Sequence, residues 1–282
     1  MEIIYMDDYF VAVNKPAGLM VHKSRLAYQE KRFALQMVRN FVGCHVYPVH
    51  RLDKPTSGVL IFGLNPEAAG RLSECFSGHA VAKTYLAVVR GYTEPCGTID
   101  KPLAKYLDKK IRTSIIQPAI TRFLRIGTIE LPYRVSRYPT SRYCLLMLRP
   151  QTGRLHQIRR HLHHVSHPVV GDRAHGDGRH NRFFTEIYGC SRLLLAAVRV
   201  EFTHPYTNKN IIIQAPLDNQ FSRIIKSFGW QAMLAPEWKY QKTPGRFSKK
   251  GAAGNHLQDL LLPAALTHDP MHREYWENQS RT

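Results

Sequence analysis

The chain has 282 residues, enough for one large domain or two small ones, and its hydrophobic fraction of 44% is ordinary for a globular protein. Lys and Arg number 40 against 21 Asp and Glu, and the formal charge of +19 suits a polyanionic partner: RNA, DNA or an acidic membrane surface. No apolar run approaches bilayer-spanning length, and Met1 to Asp8 lacks the basic and apolar regions of a signal peptide. The five cysteines (Cys44, Cys75, Cys96, Cys144, Cys190) are too scattered for a disulfide framework or a zinc knuckle, so a reducing, cytoplasmic setting is expected.

Taken in chain order, Glu2 to Tyr5 and Tyr9 to Asn14 predict a hairpin turning at Asp7-Asp8, broken by Lys15-Pro16-Ala17-Gly18. Phe33, Met37, Val38 and Phe41 recur at helical spacing. Val59 to Gly63 predicts a buried strand, and Pro66 opens a helix whose apolar face carries Ala69, Leu72 and Phe76. Lys83 to Gly91 predicts a strand covered on both sides, with Tyr85, Ala87 and Val89 on one face and Leu86 and Val88 on the other. Residues 92 to 115 are polar and predict a loop or short insertion. Strands are expected over Thr121 to Ile126, Tyr143 to Leu148, Leu193 to Phe202 and Asn210 to Gln214. Helices are expected over Leu155 to Val165 and around Phe221, Ile224, Ile225 and Phe228.

The character changes near Tyr240. Gln241 to Gly251 is a basic linker with Gly and Pro, followed by an apolar patch at Leu257, Leu260, Leu261 and Leu262. Residues 1–240 are therefore expected to form the working domain, and residues 241–282 a basic, loosely ordered tail.

Four segments carry chemistry. They are Asn14-Lys15-Pro16-Ala17-Gly18 through His22, His50 to Gly58, Lys83 to Gly91, and Leu148 to Arg159 continuing into His167-Pro168-Val169-Val170-Gly171-Asp172. In the second, Asp53 stands between a guanidinium and a Pro-Thr-Ser-Gly turn, directly before the apolar run Val59 to Phe62. Alone, an Asp there reads as a turn cap. A carboxylate on a rigid turn beside a buried strand also suits catalysis, which needs one fixed geometry. Likewise Tyr85 alone reads as a core tyrosine, and Arg159 as a helix-surface arginine.

Together the segments resemble the RluA family of RNA pseudouridine synthases, whose motifs NKPxGxxVH, HRLDxxTSG, KxYxAxVxG, PxTGRxHQ(I/L)R and HPIxGD all have counterparts here, in order. The resemblance covers roughly Met1 to Trp230. Within the family, Arg137 to Tyr143, Arg159-Arg160-His161-Leu162 and His175 to Arg182 resemble the members that modify uridine 65 of tRNA. The expected absence of an N-terminal S4-type domain agrees with them.

The resemblance implies an α+β pseudouridine-synthase fold: a mixed, mostly antiparallel sheet with flanking helices and a central RNA-binding cleft. It implies Asp53 as the catalytic carboxylate, Arg159 as the cation paired with it, and Tyr85 as the ring that stacks on the displaced uracil and assists removal of the C5 proton. Arg51 is left with two roles: filling the gap of the flipped base, or tying down a backbone carbonyl. Lys15, His50, Arg154, His156 and Arg160 are expected to contact the RNA, mostly at phosphates.

No cofactor is expected, because the substrate already holds every atom of the product. No metal is expected either, since His161, His163, His164 and His167 do not set three ligands on one helical face. The partner is expected to be tRNA, with no membrane and no obligate protein partner. A ribosomal RNA synthase of the same family, or a non-catalytic RNA-binding or RNA-folding protein, would share the same charge. One departure stands out. Where the family usually reads Leu-Leu-Leu-His-Ala, this chain has Leu195-Ala196-Ala197, so the usual histidine is Ala196, and a lost hydrogen bond near the site is expected. Leu195 is expected as an apolar wall.

Overall fold

Asp7 turns the first hairpin by accepting hydrogen bonds from the backbone N–H groups of Tyr9 (2.8 Å) and Phe10 (2.9 Å). In this computed structural model, which describes residues 1–22, 32–78, 80–106 and 114–240, it joins β1 (Glu2–Met6) to β2 (Phe10–Lys15). The expected tail, residues 241–282, lies outside the described residues. Helix α1 (Ala34–Val42) buries Ala34 and Val38 and stops at Gly43, whose φ of 81° is left-handed. A short β3 (Tyr47–Pro48) lies on β4 (Ser57–Gly63), which is buried at every residue. Helix α2 (Pro66–Ser77) has Pro in its first turn and Asn65 as N-cap, accepting from the Ala68 N–H. Strand β5 (Ala82–Arg90) follows.

The polar stretch after β5 is not a plain loop. It holds β6 (Cys96–Asp100), β7 (Leu103–Tyr106) and β8 (Ser114–Gln117). Strand β6 is an edge strand that buries only Ile99, and β8 buries nothing, so neither shows an apolar alternation in sequence. Strands β9 (Ile120–Leu131) and β10 (Ser141–Pro150) run longer than expected because they pair along their whole length, from Ser141 opposite Leu131 to Pro150 opposite Thr121. Helix α3 (Gln157–His164) starts later than expected, because His156 has a φ of 53° and lies outside the helical region.

Helix α4 (Gly178–Tyr188), capped by Asp177, was not foreseen; it buries only His180, Phe183 and Phe184, a weak periodic signal. Strands β11 (Leu195–Thr203) and β12 (Asn210–Gln214) and helix α5 (Asn219–Ser227) follow the expected positions.

The main sheet runs β1-β2-β4-β11-β5-β10-β9-β6, with β12 on β11 and β3 on β4; β7 and β8 form a separate pair. Among the described strands only β4 and β11 pair in parallel. One face of β5 (Leu86, Val88) packs with Leu145, Phe184, Phe221 and Trp230 under α4 and α5. The other (Ala87, Val89) packs with Leu146, Leu148, Ile158 and Leu162, the last two from α3. Strand β5 is thus covered on both sides, and that coverage brings α3 over the end of the sheet where β4 begins. No helix among the described residues is long and apolar enough to cross a membrane.

Candidate active site

Asp53 stands in the turn that leads into β4. Its carbonyl accepts from the Thr56 N–H at 3.0 Å, and Gly58 then carries a φ of 113°. A side chain at Gly58 would collide with the Ala197 carbonyl of β11, so glycine lets the two strands close directly behind Asp53. The turn is pinned from the rear as well. The Lys54 carbonyl accepts from the Gly18 N–H (2.8 Å) and from Lys15 Nζ (3.1 Å), and Ser57 Oγ accepts from both Nη atoms of Arg192 at 3.1 Å.

From the front comes Arg159, on the inner face of α3. Its Nη1 donates to Asp53 Oδ2 at 3.0 Å, across 106 residues of chain, so the ion pair implied by the resemblance is present. The same guanidinium forks onto Asp172, Nε to Oδ2 at 2.7 Å and Nη2 to Oδ1 at 2.8 Å. Asp172 is buried and also accepts from the backbone N–H groups of Ala174 (2.9 Å) and His175 (3.0 Å). Burial pushes the Asp172 pKa up, but Arg159 and the His175 and Ala174 N–H groups outweigh it and hold the carboxyl below its usual range. Burial likewise opposes the charge on Arg159, and Asp172 and then Asp53 lift its pKa instead.

His156 is the second group on Asp53. Its Nε2 lies 3.8 Å from the same Oδ2, and its Nδ1 is hydrogen-bonded to His175 Nε2 at 2.9 Å. Among the described residues no hydrogen bond or ion pair falls on Asp53 Oδ1. Tyr85, half-buried on β5, packs at the junction of two core clusters beside this carboxylate. Burial, then the Asp53 charge, raises its pKa, so its phenol stays protonated. Arg51 is exposed next to Asp53. A recess lined by Asn14, Lys15, Ser57, Leu217 and Asp218 adjoins the loop and contains neither Asp53 nor Tyr85.

Three sequence expectations are corrected here. Lys15 is fully buried, and its Nζ donates to the carbonyls of Pro16 (3.0 Å), Leu19 (2.8 Å) and Lys54 (3.1 Å), which keeps it from any phosphate. Burial, then the Arg192 charge, pulls its pKa down to about 7 against the pull of Asp53. His50 is turned inward: its Nε2 accepts from the Ile61 N–H at 3.1 Å, its ring stacks on Phe76, and burial pulls its pKa down to about 3. Its Nε2 is committed to the backbone and its half-buried ring is held neutral, which removes it as a cation for phosphate. Ala196 packs with Leu86 in the core on the far face of the sheet from Ala197 and Tyr85. A histidine missing there removes nothing beside Asp53. Leu195 does belong to the core cluster against which Tyr85 packs.

Arg154 and Arg160 are half-buried and reach back to carbonyls, Arg154 Nε to Pro118 at 3.0 Å and Arg160 Nη1 to Ala104 at 3.1 Å. The histidines on and after α3 disperse: His161 bonds Thr121 Oγ1 and the Lys101 carbonyl, while His167, beyond the helix, bonds the Arg90 carbonyl through Nδ1. Asp172, His175 and Arg192 received no role from sequence. Asp172 closes a motif that had been noticed, but a buried carboxylate is found by its partner, which local spacing does not show.

Residues 9–164 match the family described as RNA pseudouridylate synthase. The chain is 46% identical over 239 residues to the tRNA pseudouridine synthase C of Vibrio vulnificus, covering 83% of this chain and 98% of that one. It is 48% identical over 235 residues to the protein of that name from Haemophilus ducreyi, covering 82% and 96%. The solved structure of human RNA pseudouridylate synthase domain containing 4 superposes with a TM-score of 0.60 at 22% identity, over 81% of this chain and 93% of that one, which shows the fold.

Proposed function

The chain belongs to the RNA pseudouridylate synthase family, and from that premise we propose that it converts uridine 65 of tRNA to pseudouridine, with Asp53 as the carboxylate acting at the ribose. The relatives named as tRNA enzymes, matched over nearly their full length, support tRNA as the substrate class. The closer motifs at Arg137 to Tyr143 and His175 to Arg182 support position 65. This reading takes residues 1–240 as the synthase domain and the cytoplasm as its compartment.

The reaction breaks the N1–C1′ bond, turns the uracil, joins C5 to C1′ and releases the C5 proton, while the freed N1 takes up a proton. The nucleotide must first leave its stack. Attack at C1′, stabilisation of positive charge there and removal of a sugar proton all need the same thing: an ionised carboxylate oxygen held at the ribose. The observation that carries the proposal is the asymmetry of Asp53. Arg159 and His156 both converge on Oδ2, which leaves Oδ1 as the oxygen for the ribose.

Tyr85 supplies a flat ring for the uracil, and its protonated hydroxyl serves as a hydrogen-bond donor rather than a ready base. The exposure of Arg51 favours filling the space of the flipped base over clamping a carbonyl. Arg154 and Arg160 each keep guanidinium N–H groups beyond the one given to a carbonyl, which suits phosphate contacts.

Asp53→Asn tests this directly. Pseudouridine formation in tRNA should fall by about a thousandfold or more, while the dissociation constant for tRNA changes by less than about threefold. Retained turnover removes Asp53 from the chemistry. Mapping pseudouridines in cells lacking the protein should show position 65 of tRNA unmodified; loss at a ribosomal site instead moves the assignment to ribosomal RNA.

A further inference from the structure

Five side chains close a ring at the site: Asp53 to Arg159, Arg159 to Asp172, Asp172 to the backbone of His175, His175 to His156, and His156 back to Asp53. Three of these links are set by charge or by an obligate donor, and the contact of His156 with Asp53 follows whichever nitrogen of His156 carries the proton. The fifth, between the two imidazoles, has a direction that chemistry must choose, because one neutral ring must donate and the other accept.

We propose that His175 is a positioning residue: its Nε2–H donates to His156 Nδ1, which fixes His156 as the Nε2–H tautomer aimed at Asp53 Oδ2. The inference rests on the reading of Asp53 as the catalytic carboxylate.

The argument is one of polarity. With His156 as donor through Nδ1, its Nε2 lone pair would face a carboxylate oxygen 3.8 Å away, acceptor against acceptor. The reverse direction presents an N–H there, so the needs of the His175 bond and of the carboxylate are met together only with His175 as the donor. The groups around the pair agree. His156 faces Asp53, Arg159, Asp172 and Arg51, and His175 faces Asp172, Arg159, His156 and Arg160. Burial is the largest influence on both and lowers both, which favours two neutral rings with one N–H lying in the bond between them.

The backbone supports the same purpose. His156 has a φ of 53°, a left-handed conformation that costs a non-glycine residue about 1 kcal/mol or more. That conformation sits immediately before α3 and sets the ring between Asp53 and His175. His175 in turn is held through its backbone N–H on Asp172, which Arg159 already fixes. The carboxylate is thus oriented from two sides through one oxygen, by a guanidinium that cannot titrate away and by an imidazole whose tautomer His175 dictates.

The proposal is read by the tautomer of His156 in the full-length protein. Nitrogen-15 NMR of labelled histidines, with His156→Gln to assign the signal, should show a neutral Nε2–H ring near neutral pH. In His175→Phe the same signal should lose that form. A neutral Nδ1–H ring or a doubly protonated ring in the unmutated protein overturns the proposal.

Kinetics give a second reading. His175→Phe should lower kcat about tenfold with KM for tRNA changed by less than about twofold, and His175→Gln, whose amide N–H lies near the Nε2 position, should recover most of kcat. An unchanged kcat, an effect confined to KM, or no recovery with Gln each overturns it. Activity surviving in Asp53→Asn would instead defeat the catalytic reading, which the tautomer measurement does not depend on.

Discussion

Arg159 and Arg192 grip the same loop from opposite sides, and they do different work. Both side chains are almost buried, 5% and 8% exposed. Arg159 holds Asp53 and Asp172, and these partners lift its pKa despite burial. Arg192 holds Ser57 Oγ, the carbonyls of Leu193 and Leu195, and Asp218, and burial pulls its pKa down to about 10. Lys15 belongs with Arg192, its donors committed to three carbonyls. The front cation pairs with the carboxylate proposed to act at the ribose, whereas the rear cations are girders for the turn that carries it. In a chain with 40 Lys and Arg, the residue type alone separates neither role from RNA contact.

The largest effect should come from breaking the front. Arg159→Met leaves Asp172 buried without its counter-ion and Asp53 without its cation. Stability should drop by about 3–5 kcal/mol in urea denaturation. Single-turnover pseudouridine formation by the folded fraction should fall by about a hundredfold or more. Arg159→Lys should recover part of the stability and little of the rate, since one ammonium cannot fork across two carboxylates. Equal recovery of both would mean that charge alone, not the fork, orients Asp53.

Breaking the rear should separate stability from chemistry. Lys15→Met takes a donor from three carbonyls, of which, among the described residues, only that of Lys54 keeps another, the Gly18 N–H, and should cost about 1–3 kcal/mol. The salt dependence of tRNA binding should stay as it was. A flatter slope would return Lys15 to the RNA surface.

A pH titration sharpens the same contrast. His50, His156, His161, His175 and His180 all have pKa values lowered first by burial, His50 to about 3. The unfolded chain therefore takes up more protons below about pH 6.5, and stability falls as the pH drops from about 7 to about 5. His50→Gln, which keeps an acceptor for the Ile61 N–H, should show a smaller loss over that range. An equal loss would mean that His50 does not titrate on unfolding. The smallest effect expected is Arg154→Ala, which should reduce the slope of log K against log salt by about one. An unchanged slope would take Arg154 off the phosphate path.

Several features were legible because they repeat or because they are local. The β5 alternation, the Asn65-Pro66 helix start and the α5 face follow from side-chain periodicity and capping, which neighbouring residues decide. The edge strands β6 to β8 and helix α4 were hidden because they bury few residues, so their periodicity is faint. The Asp53–Arg159 pair was expected only through the resemblance of whole motifs.

By itself the chain determined its family, its order of strands and helices around β5, and Asp53 on a turn before a buried strand, because these depend on residue type and short spacing. Only the tertiary structure decided which cations meet solvent, which carboxylate Arg159 shares with Asp53, and which way Ala196 faces. Those are matters of burial and of contacts beyond local spacing, from 13 residues for Arg159 and Asp172 to 106 for Arg159 and Asp53. A charge has no assigned role until the fold has chosen what lies within hydrogen-bonding distance of it.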